Sequence, residues 1–258
     1  ANTLFHFTRS IDILENILEN NFYPRLCYEN FFSVILNPPT DFIELEKAVP
    51  MVCFCDLPLS QVNKHADEKN YGQYALGLSK EWAIKNKVNP VLYTYKNSDI
   101  SQKFRELLLN LNSHKKNAIK YTISKDDYYN QLLSIIQYIK PYEGINTKNN
   151  ENTRYYDERE WRYIPRFTED LSYPIMLRRG GEKEQNAFTE INEKIENIKE
   201  LHLKFEPKDI KYIIVKSEDE ILSMVDKVTK ITGRGLSNTD IKILTTRIIS
   251  FETIRENF

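Results

Sequence analysis

Residues 154–166, "RYYDEREWRYIPR", combine four aromatic and seven charged residues within thirteen positions. Side chains alternate between the two faces of a strand, so Trp161 and Tyr163 are expected on one face and Glu158 and Glu160 on the other. The aromatic face is apolar enough to be buried, which predicts that the acidic face turns toward the surface or a cleft. The simplest interpretation of that acidic face is an exposed, ion-paired surface, in which each pair is worth under about 1 kcal/mol.

The segment before this strand supports a second interpretation. Residues 143–153 are polar and are predicted to form a loop that leads directly into the aromatic-rich strand. Glu160, with Arg162 on the same face and bulky aromatics beside it, is then well placed to contact a cationic or oxocarbenium-like group. Neighbouring cations also favour the ionised carboxylate at pH 7.

A second alternating segment, "LFHFT", occupies residues 4–8. Phe5 and Phe7 are expected to share one face, which is most simply a face of the core. His6 and Thr8 then share the other face, where their polar groups need partners in the protein or on a ligand. A structural histidine is the simpler interpretation of His6, and a ligand-binding histidine is the alternative.

Composition narrows the class of protein. The chain has 258 residues, 41% of them hydrophobic and 28% charged, which is typical of a soluble globular protein. A formal net charge of -1 gives no strong overall attraction to nucleic acid or anionic lipid. No signal peptide is evident, and no apolar segment approaches the ~20 residues that span a bilayer. These features predict a cytoplasmic protein.

Motifs for the common cofactors and metals are absent from the sequence. Neither a GxGxxG loop nor a GxxxxGK[ST] loop occurs, which argues against a Rossmann or P-loop nucleotide site. Cys27, Cys53 and Cys55 do not have zinc-ligand spacing, and we expect free buried thiols in a reducing compartment. No metal site is predicted.

The order of the elements predicts an α+β fold. Strands are expected at residues 4–8, 51–55, 73–79, 90–95, 158–165, 201–205, 211–215 and 240–249. Helices are expected after Ser10, at 60–69, after Ser79, at 183–200 and at 218–228, while residues 22–50 are expected to be irregular. We predict one domain over residues 1–258, with a two-helix insertion at about 101–142 between strands.

Five blocks of the sequence resemble one known family. They are "LFHFT", "MVCFCDLPLS", "YGQYALGLSKEWA", "YYDEREWRYIP" and "FEPKDIKYIIV", which lie between about residue 4 and residue 215. Together they resemble the abortive-phage-resistance family labelled AbiGi, which is described as an antitoxin. The resemblance implies phage defence and a partner such as a toxin or a phage protein.

The chain is also similar, more distantly, to ADP-ribosyltransferases of the His-Tyr-Glu kind, whose mixed sheet binds NAD around a cleft without a glycine-rich motif. This resemblance implies that His6 and Thr8 hold the ribose and nicotinamide region and that Tyr74 stacks on the nicotinamide. Phe7 and Ser79 accompany them as NAD-binding positions. Phe7 departs from the small residue that follows the histidine in poly-ADP-ribose polymerases, and the tyrosine block lacks the glycine pattern of those enzymes.

The same resemblance implies catalytic roles for Glu160, His6 and Glu158. Glu160 would stabilise the cationic ribose as nicotinamide leaves, since a fixed carboxylate can do so without proton transfer. Glu158, two residues earlier, would orient the target, although it also competes with Glu160 for the catalytic role. These roles require His6, Thr8, Tyr74 and Glu160 to converge on one cleft.

Three functions are therefore compatible with the sequence. The first is an NAD-dependent ADP-ribosyltransferase that modifies a protein or nucleic-acid target in phage defence. The second is a non-catalytic antitoxin or partner-binding protein of an abortive-infection system. The third, an RNA-processing or nucleotide-binding module without NAD, has less support because no basic and aromatic tract stands out. The placement of His6 relative to Glu160 discriminates between the first two, because opposite faces of a sheet favour the binding protein.

Overall fold

A computed structural model of the chain describes residues 1–30, 35, 47–65, 71–113, 125–146, 151–166, 177–178, 180–231 and 235–257. Its strands are β1 (Thr3–Thr8), β2 (Arg25–Glu29), β3 (Lys47–Cys55), β4 (Tyr74–Ser79), β5 (Asn89–Pro90), β6 (Leu92–Thr94), β7 (Ile139–Pro141), β8 (Gly144–Asn146), β9 (Glu151–Thr153), β10 (Glu160–Tyr163), β11 (Leu177–Arg178), β12 (Ile210–Val215) and β13 (Ile248–Ser250).

The helices of the described residues are α1 (Ile11–Asn20), α2 (Leu59–His65), α3 (Lys80–Lys85), α4 (Asp99–Ser113), α5 (Lys125–Ile136), α6 (Glu182–Asn197), α7 (Glu220–Lys230), α8 (Asn238–Thr245) and α9 (Phe251–Asn257). Short 3-10 helices occupy Tyr155–Glu158, Lys199–Leu201 and Pro207–Asp209. None of the helices in these ranges is long and apolar enough to cross a membrane. The mixture of helices and strands confirms the α+β class.

The main sheet has the order β13-β12-β4-β1-β3-β10-β5, and β2 and β11 also pair with β3. Its ladders are antiparallel except for the parallel pair of β12 and β13. The long strand β3 has a central position because its first half pairs with β2 and its second half with β10. Two smaller ladders, β6 with β7 and β8 with β9, complete the described strands.

Helix α1 shows why the local sequence patterns work in this chain. Ser10 caps its amino end, where the side chain accepts a hydrogen bond from the backbone N–H of Ile13 at 3.3 Å. Leu14 and Ile17 lie on one buried stripe of the helix and pack into the core of the sheet. Asn21 ends the helix with a φ of 69°, a left-handed conformation that asparagine adopts more readily than most residues.

Both faces of the sheet are buried. One face contributes Leu4 and Phe54 to the largest hydrophobic core, against which α1, α7 and Trp82 of α3 pack. The other face contributes Phe5 and Ile214 to a second core, where α2 and α9 pack, the latter through Phe251. Because both faces are covered, a polar side chain on either face of the central strands has to find a partner inside the protein.

Helices α4 and α5 lie between β6 and β7, where the sequence predicts a helical insertion. They pack against each other, and Leu108 from α4 and Leu132 from α5 join a third hydrophobic core with Met51 of β3. The resemblance of the fold to ADP-ribosyltransferases and the division into domains stay predictions.

Several expected elements differ in the structure. The strand expected at 201–205 is absent, because the segment forms part of a 3-10 helix followed by an isolated bridge between Leu203 and Phe22. Helix α8 occupies most of 240–249, and only β13 is a strand there. The loop expected at 143–153 contains the paired strands β8 and β9. Strand β2 lies within the supposedly irregular 22–50.

Candidate functional site

Five charged side chains meet inside the protein, and we call this group the buried ion cluster. Its members are Glu29, Lys140, Glu158, Glu160 and Arg162. The exposed fraction of their side chains is at most 14%, for Glu29, and is 0% for Arg162. Charges buried to this extent are stable only when they are paired and hydrogen-bonded.

Four different elements bring these side chains together. Glu160 and Arg162 lie on the same face of β10 because they are two residues apart. Lys140 is the central residue of β7, and Glu29 is the last residue of β2. Glu158 ends the 3-10 helix that precedes β10. The cluster is therefore a long-range assembly rather than a local sequence motif.

Lys140 lies between two carboxylates. Its Nζ atom donates to Glu158 at 2.5 Å and to Glu160 at 2.5 Å. The hydroxyl of Tyr71 donates to the other oxygen of Glu158, also at 2.5 Å. Both oxygens of Glu158 are thus engaged inside the protein.

Arg162 is fully buried and uses all three of its guanidinium nitrogens. Nε donates to Glu160 at 2.5 Å, and Nη2 lies 2.8 Å from a carboxylate oxygen of Glu29. Nη1 donates to the backbone carbonyl of Gln137 at 2.7 Å. An arginine that is satisfied on several sides in this way holds its carboxylates in a fixed geometry.

The electrostatics of the cluster keep its central ions charged. Burial raises the pKa of Glu160, but Arg162 and Lys140 outweigh burial and hold this pKa below its ordinary value. Burial lowers the pKa of Lys140, but Glu160 and Glu158 outweigh it and raise this pKa well above its ordinary value. Glu29 differs, since burial dominates and its pKa is raised. The charge of Glu160 is therefore matched within the protein by two cations.

The backbone at Arg159 separates the two central carboxylates. Arg159 has a φ of 45°, a left-handed conformation that is unfavourable for a residue with a Cβ. Its carbonyl accepts a hydrogen bond from the N–H of Asp56 at 3.0 Å, which holds the turn against the end of β3. This turn ends the 3-10 helix and begins β10, so Glu158 and Glu160 approach Lys140 from different elements. The expectation that Glu158 lies on the strand was wrong.

Tyrosine side chains adjoin the cluster and reach the protein surface. The hydroxyl of Tyr93 accepts a hydrogen bond from the backbone N–H of Glu160 at 2.8 Å. From Tyr93, ring contacts continue to Tyr156 at 5.3 Å, from Tyr156 to Tyr142 at 5.2 Å, and from Tyr142 to Tyr95 at 4.5 Å between centroids. We call these four residues the tyrosine surface, in which Tyr95 is 53% and Tyr156 is 46% exposed.

His6 lies in a different environment. Its Nδ1 atom is 2.8 Å from the backbone carbonyl of Cys53, and its ring contacts the rings of Phe22 at 5.0 Å and Phe54 at 5.7 Å. Burial lowers the pKa of His6, and the hydrogen bond to the carbonyl only partly offsets this. These contacts are those of a neutral histidine packed within an aromatic core.

The other residues assigned to NAD also have partners inside the protein. Thr8 is buried, and its hydroxyl donates to a backbone carbonyl two residues later. The hydroxyl of Tyr74 donates to Glu220 at 2.8 Å. Ser79 caps α3, and Phe7 lies on the opposite face of β1 among the rings of the second core.

Strand register shows where these residues lie relative to Glu160. Cys55 is opposite Phe5 on β1 and opposite Glu160 on β10, so these three side chains share one face of the sheet. His6 follows Phe5 directly and lies on the other face, with Trp161. The structure therefore does not bring His6 and Glu160 to one cleft. Their catalytic and NAD-binding roles stay predictions.

Sequence reasoning missed two members of the cluster and one of its partners. Lys140 lies in "YIKPY", residues 138–142. The sequence feature that could have indicated a buried lysine is this single cation within an apolar and aromatic segment. Glu29 lies in a segment that was expected to be irregular, and Tyr71 lies in a turn. Nothing in the local sequence links these residues to Glu160.

Metal binding finds no support in the described part of the chain. Within it, no group of three or more histidine, cysteine, aspartate or glutamate side chains is placed to hold a metal ion. Cys27, Cys53 and Cys55 are free thiols, and burial raises the pKa of Cys55.

Comparisons with known proteins relate the sequence to phage defence. A sequence model of the family described as "Putative abortive phage resistance protein AbiGi, antitoxin" matches residues 20–216. The "Abortive phage resistance protein AbiGi" of Lactococcus lactis subsp. cremoris is 29% identical over 252 residues, which cover 92% of this chain and 99% of that protein. No solved structure matches the chain.

Proposed function

The chain belongs to the AbiGi family, and from this membership we propose that it is the antitoxin, a partner-binding protein, of an abortive-infection system against phage. The family description supports the proposal, because it names an antitoxin, and a protein antitoxin can act by binding its toxin. The similarity to the Lactococcus protein extends over nearly all of both chains, so it is not confined to one shared segment.

The tyrosine surface is the observation that supports a binding function most directly. Tyr95 and Tyr156 expose about half of their area, and both stack on Tyr142. Tyrosine is enriched at protein interfaces because it offers a large apolar ring and a polar hydroxyl at a low cost in side-chain entropy. Exposed Leu92 and Ile145 lie in strands next to these rings along the chain and add apolar area.

The buried ion cluster gives this surface a rigid support. The hydroxyl of Tyr93, a member of the tyrosine surface, is hydrogen-bonded to the backbone of Glu160. The Nζ atom of Lys140 lies 5.2 Å from the ring centroid of Tyr155, which precedes Tyr156 in the chain. A surface that is already ordered before binding loses little conformational entropy when a partner binds. The cluster then has a positioning role, which does not require it to contact any substrate.

The geometry of Glu160 favours this function over ADP-ribosyl transfer. A carboxylate that stabilises a ribosyl cation has to contact the sugar, whereas Glu160 is 4% exposed and contacts Lys140 and Arg162. His6 lies on the other face of the sheet. NAD-dependent transfer stays a prediction to which this arrangement adds no support.

Co-expression with a candidate toxin from the same genetic locus tests the proposal. We expect the chain to restore growth and to form a complex whose dissociation constant is measurable by calorimetry. The double substitution Tyr95→Ala and Tyr156→Ala should weaken binding by at least about tenfold, since exposed tyrosines are frequent hot spots. Tyr128→Ala, an exposed tyrosine of α5 outside the tyrosine surface, is the matched control.

Two outcomes would contradict the proposal in different ways. If the double variant binds the toxin with full affinity, the antitoxin function stands, but the tyrosine surface is not the binding site. Failure of the chain to bind or to restore growth, together with release of nicotinamide from NAD by the purified protein, would reject the antitoxin in favour of the enzyme.

A further inference from the structure

A cavity of about 360 Å³ opens at the edge of the main sheet formed by β12 and β13. Its walls include Thr3 from β1, Lys211 and Tyr212 from β12, and Arg247 and Ile248 at the start of β13. Strands β4, β1 and β3 separate this edge from β10, so the cavity is distinct from the buried ion cluster and from the tyrosine surface. The volume lies within the range of about 300–1,000 Å³ that is usual for small-molecule sites.

Two cations line the cavity. They are Lys211 and Arg247, and the lining has no carboxylate among the residues that the structure describes. Among the described residues, neither cation forms an ion pair. The Nε atom of Arg247 is also buried without a hydrogen-bond partner in this part of the chain. Buried donors are nearly always satisfied in proteins, so an acceptor is expected at this position.

A β-bulge directs Lys211. Ile210 lies opposite Leu78 of β4, and Tyr212 lies opposite the adjacent residue Gly77, so Lys211 is an extra residue in the ladder. Bulges of this type re-aim a side chain and are frequent beside functional sites. The bulge therefore provides a local reason why a lysine of a sheet strand lines the cavity.

One wall of the cavity is the aromatic ring of Tyr212, which stacks on the ring of Phe5. The rings of Tyr212 and Phe5 are stacked at 5.8 Å with an interplanar angle of 28°. Gly77 lies between them in the sheet, and a Cβ there would come within 2.9 Å of the Phe5 ring. The glycine thus permits the two rings to meet, and Tyr212 offers a fixed planar face. Ile249, which also lines the cavity, lies on the same face of the sheet as Tyr212 and adds apolar area.

We propose that this cavity binds a phosphate-bearing small molecule of the nucleotide class. Arg247 and Lys211 hold the phosphate by charge-assisted hydrogen bonds, and Tyr212 and Ile249 contact the base. The inference is independent of the proposed antitoxin function, because it uses none of the same residues. It assigns the chain a small-molecule ligand in addition to a protein partner.

Calorimetric titration of the full chain with adenosine 5′-monophosphate, adenosine and inorganic phosphate tests the proposal. We expect the monophosphate to bind more tightly than either of its parts, and more weakly at higher ionic strength. Lys211→Gln and Arg247→Gln should each weaken its binding by about tenfold, since each removes one charged contact to the phosphate. Arg255→Gln, an exposed arginine of α9 outside the cavity, should bind like the wild type.

The thermal unfolding temperature of each variant is the control for folding. Lys211→Gln keeps the proposal testable if Arg247→Gln is unstable, since the side chain of Lys211 forms no ion pair with the residues that the structure describes. Absence of binding by the monophosphate, affinity no higher than that of phosphate or adenosine alone, or unchanged affinity in a folded Lys211→Gln variant would each overturn the proposal.

Discussion

The two faces of strands β1, β3 and β10 bury polar groups in different ways. On one face His6 is packed among aromatic rings, and its ring forms a hydrogen bond with a backbone carbonyl. On the other face Glu160 and Arg162 are ionised and held by one another, with Lys140 completing the group. The polar group on the first face is thus held within apolar packing, whereas the ions on the second face depend on one another.

This difference shows why buried polar residues do not by themselves indicate a catalytic site. A neutral histidine with one backbone partner fits readily into a core, whereas a carboxylate needs cations from other parts of the chain. Both arrangements satisfy their polar groups internally. The two faces should therefore respond differently to mutation and to pH.

The largest expected effect follows from removing the central cation. Arg162→Met leaves Glu160 and Glu29 buried without this partner, so the free energy of unfolding should fall by about 3–5 kcal/mol. Arg25→Met is the matched control, since Arg25 and Glu196 form a surface pair at 2.7 Å with both side chains over 40% exposed. That change should cost about 0–1 kcal/mol. Urea unfolding measures the loss of stability in each variant. Equal losses would mean that the buried ion cluster is no more important for stability than the surface pair.

An effect of intermediate size is expected when the pH is lowered. The free energy of unfolding should respond to His6 and to Glu160 in different ranges of pH. Burial lowers the pKa of His6 below its ordinary value of 6.5, so the unfolded chain binds a proton there first and stability falls as pH drops below about 6.5. The pKa of Glu160 is lowered from 4.5, so its stabilisation is lost only as pH falls below that value.

Unfolding in urea at about pH 7.5 and about pH 5.5 isolates the His6 window. His6→Gln should reduce the loss of stability between these two conditions. Burial also lowers the pKa of His65, so a double variant with His65→Gln should reduce the loss further. A wild-type protein that is equally stable at both values would contradict the neutral, buried state of His6.

The smallest expected effect concerns the edge of the cluster. Tyr71→Phe removes the hydroxyl that donates to Glu158, and the free energy of unfolding should decrease by about 1 kcal/mol. Tyr156→Phe is the control, because that hydroxyl has no hydrogen bond within the described residues and its loss should change stability by less than about 0.5 kcal/mol. If the two substitutions have the same effect, Tyr71 does not belong to the network.

Local patterns predicted much of the fold. The alternation of "LFHFT" predicted β1, and Ser10 and Ser79 cap the helices that they were expected to cap. The alternation pattern gave a wrong prediction where contacts with distant parts of the chain decide whether a segment forms a strand. The "LHLKF" segment has the alternation of a strand, but it meets the sheet through a single bridge from Leu203 to Phe22 and does not extend into a ladder.

The candidate site was predicted in part. Glu160 and Glu158 were singled out, but they were expected beside a cleft because the aromatic side of the strand was the only side assigned to a core. The structure instead buries the acidic side more completely, since Glu160 is buried while Trp161 and Tyr163 are only half-buried. Lys140 is 20 residues away from Glu160 in the sequence, and Glu29 is much further, so the partners that make this burial possible could not be inferred from the residues around Glu160.

The sequence by itself determined which residues share a face, because alternation is a property of the extended backbone and needs no distant partner. It also determined the helix starts, since a capping hydroxyl acts on N–H groups two or three residues away. Only the tertiary structure decided that both faces are covered and that His6 and Glu160 are on opposite sides of the sheet. The cost of burying a charge depends on which other charges arrive beside it, and here they come from β2, β7 and the 3-10 helix before β10.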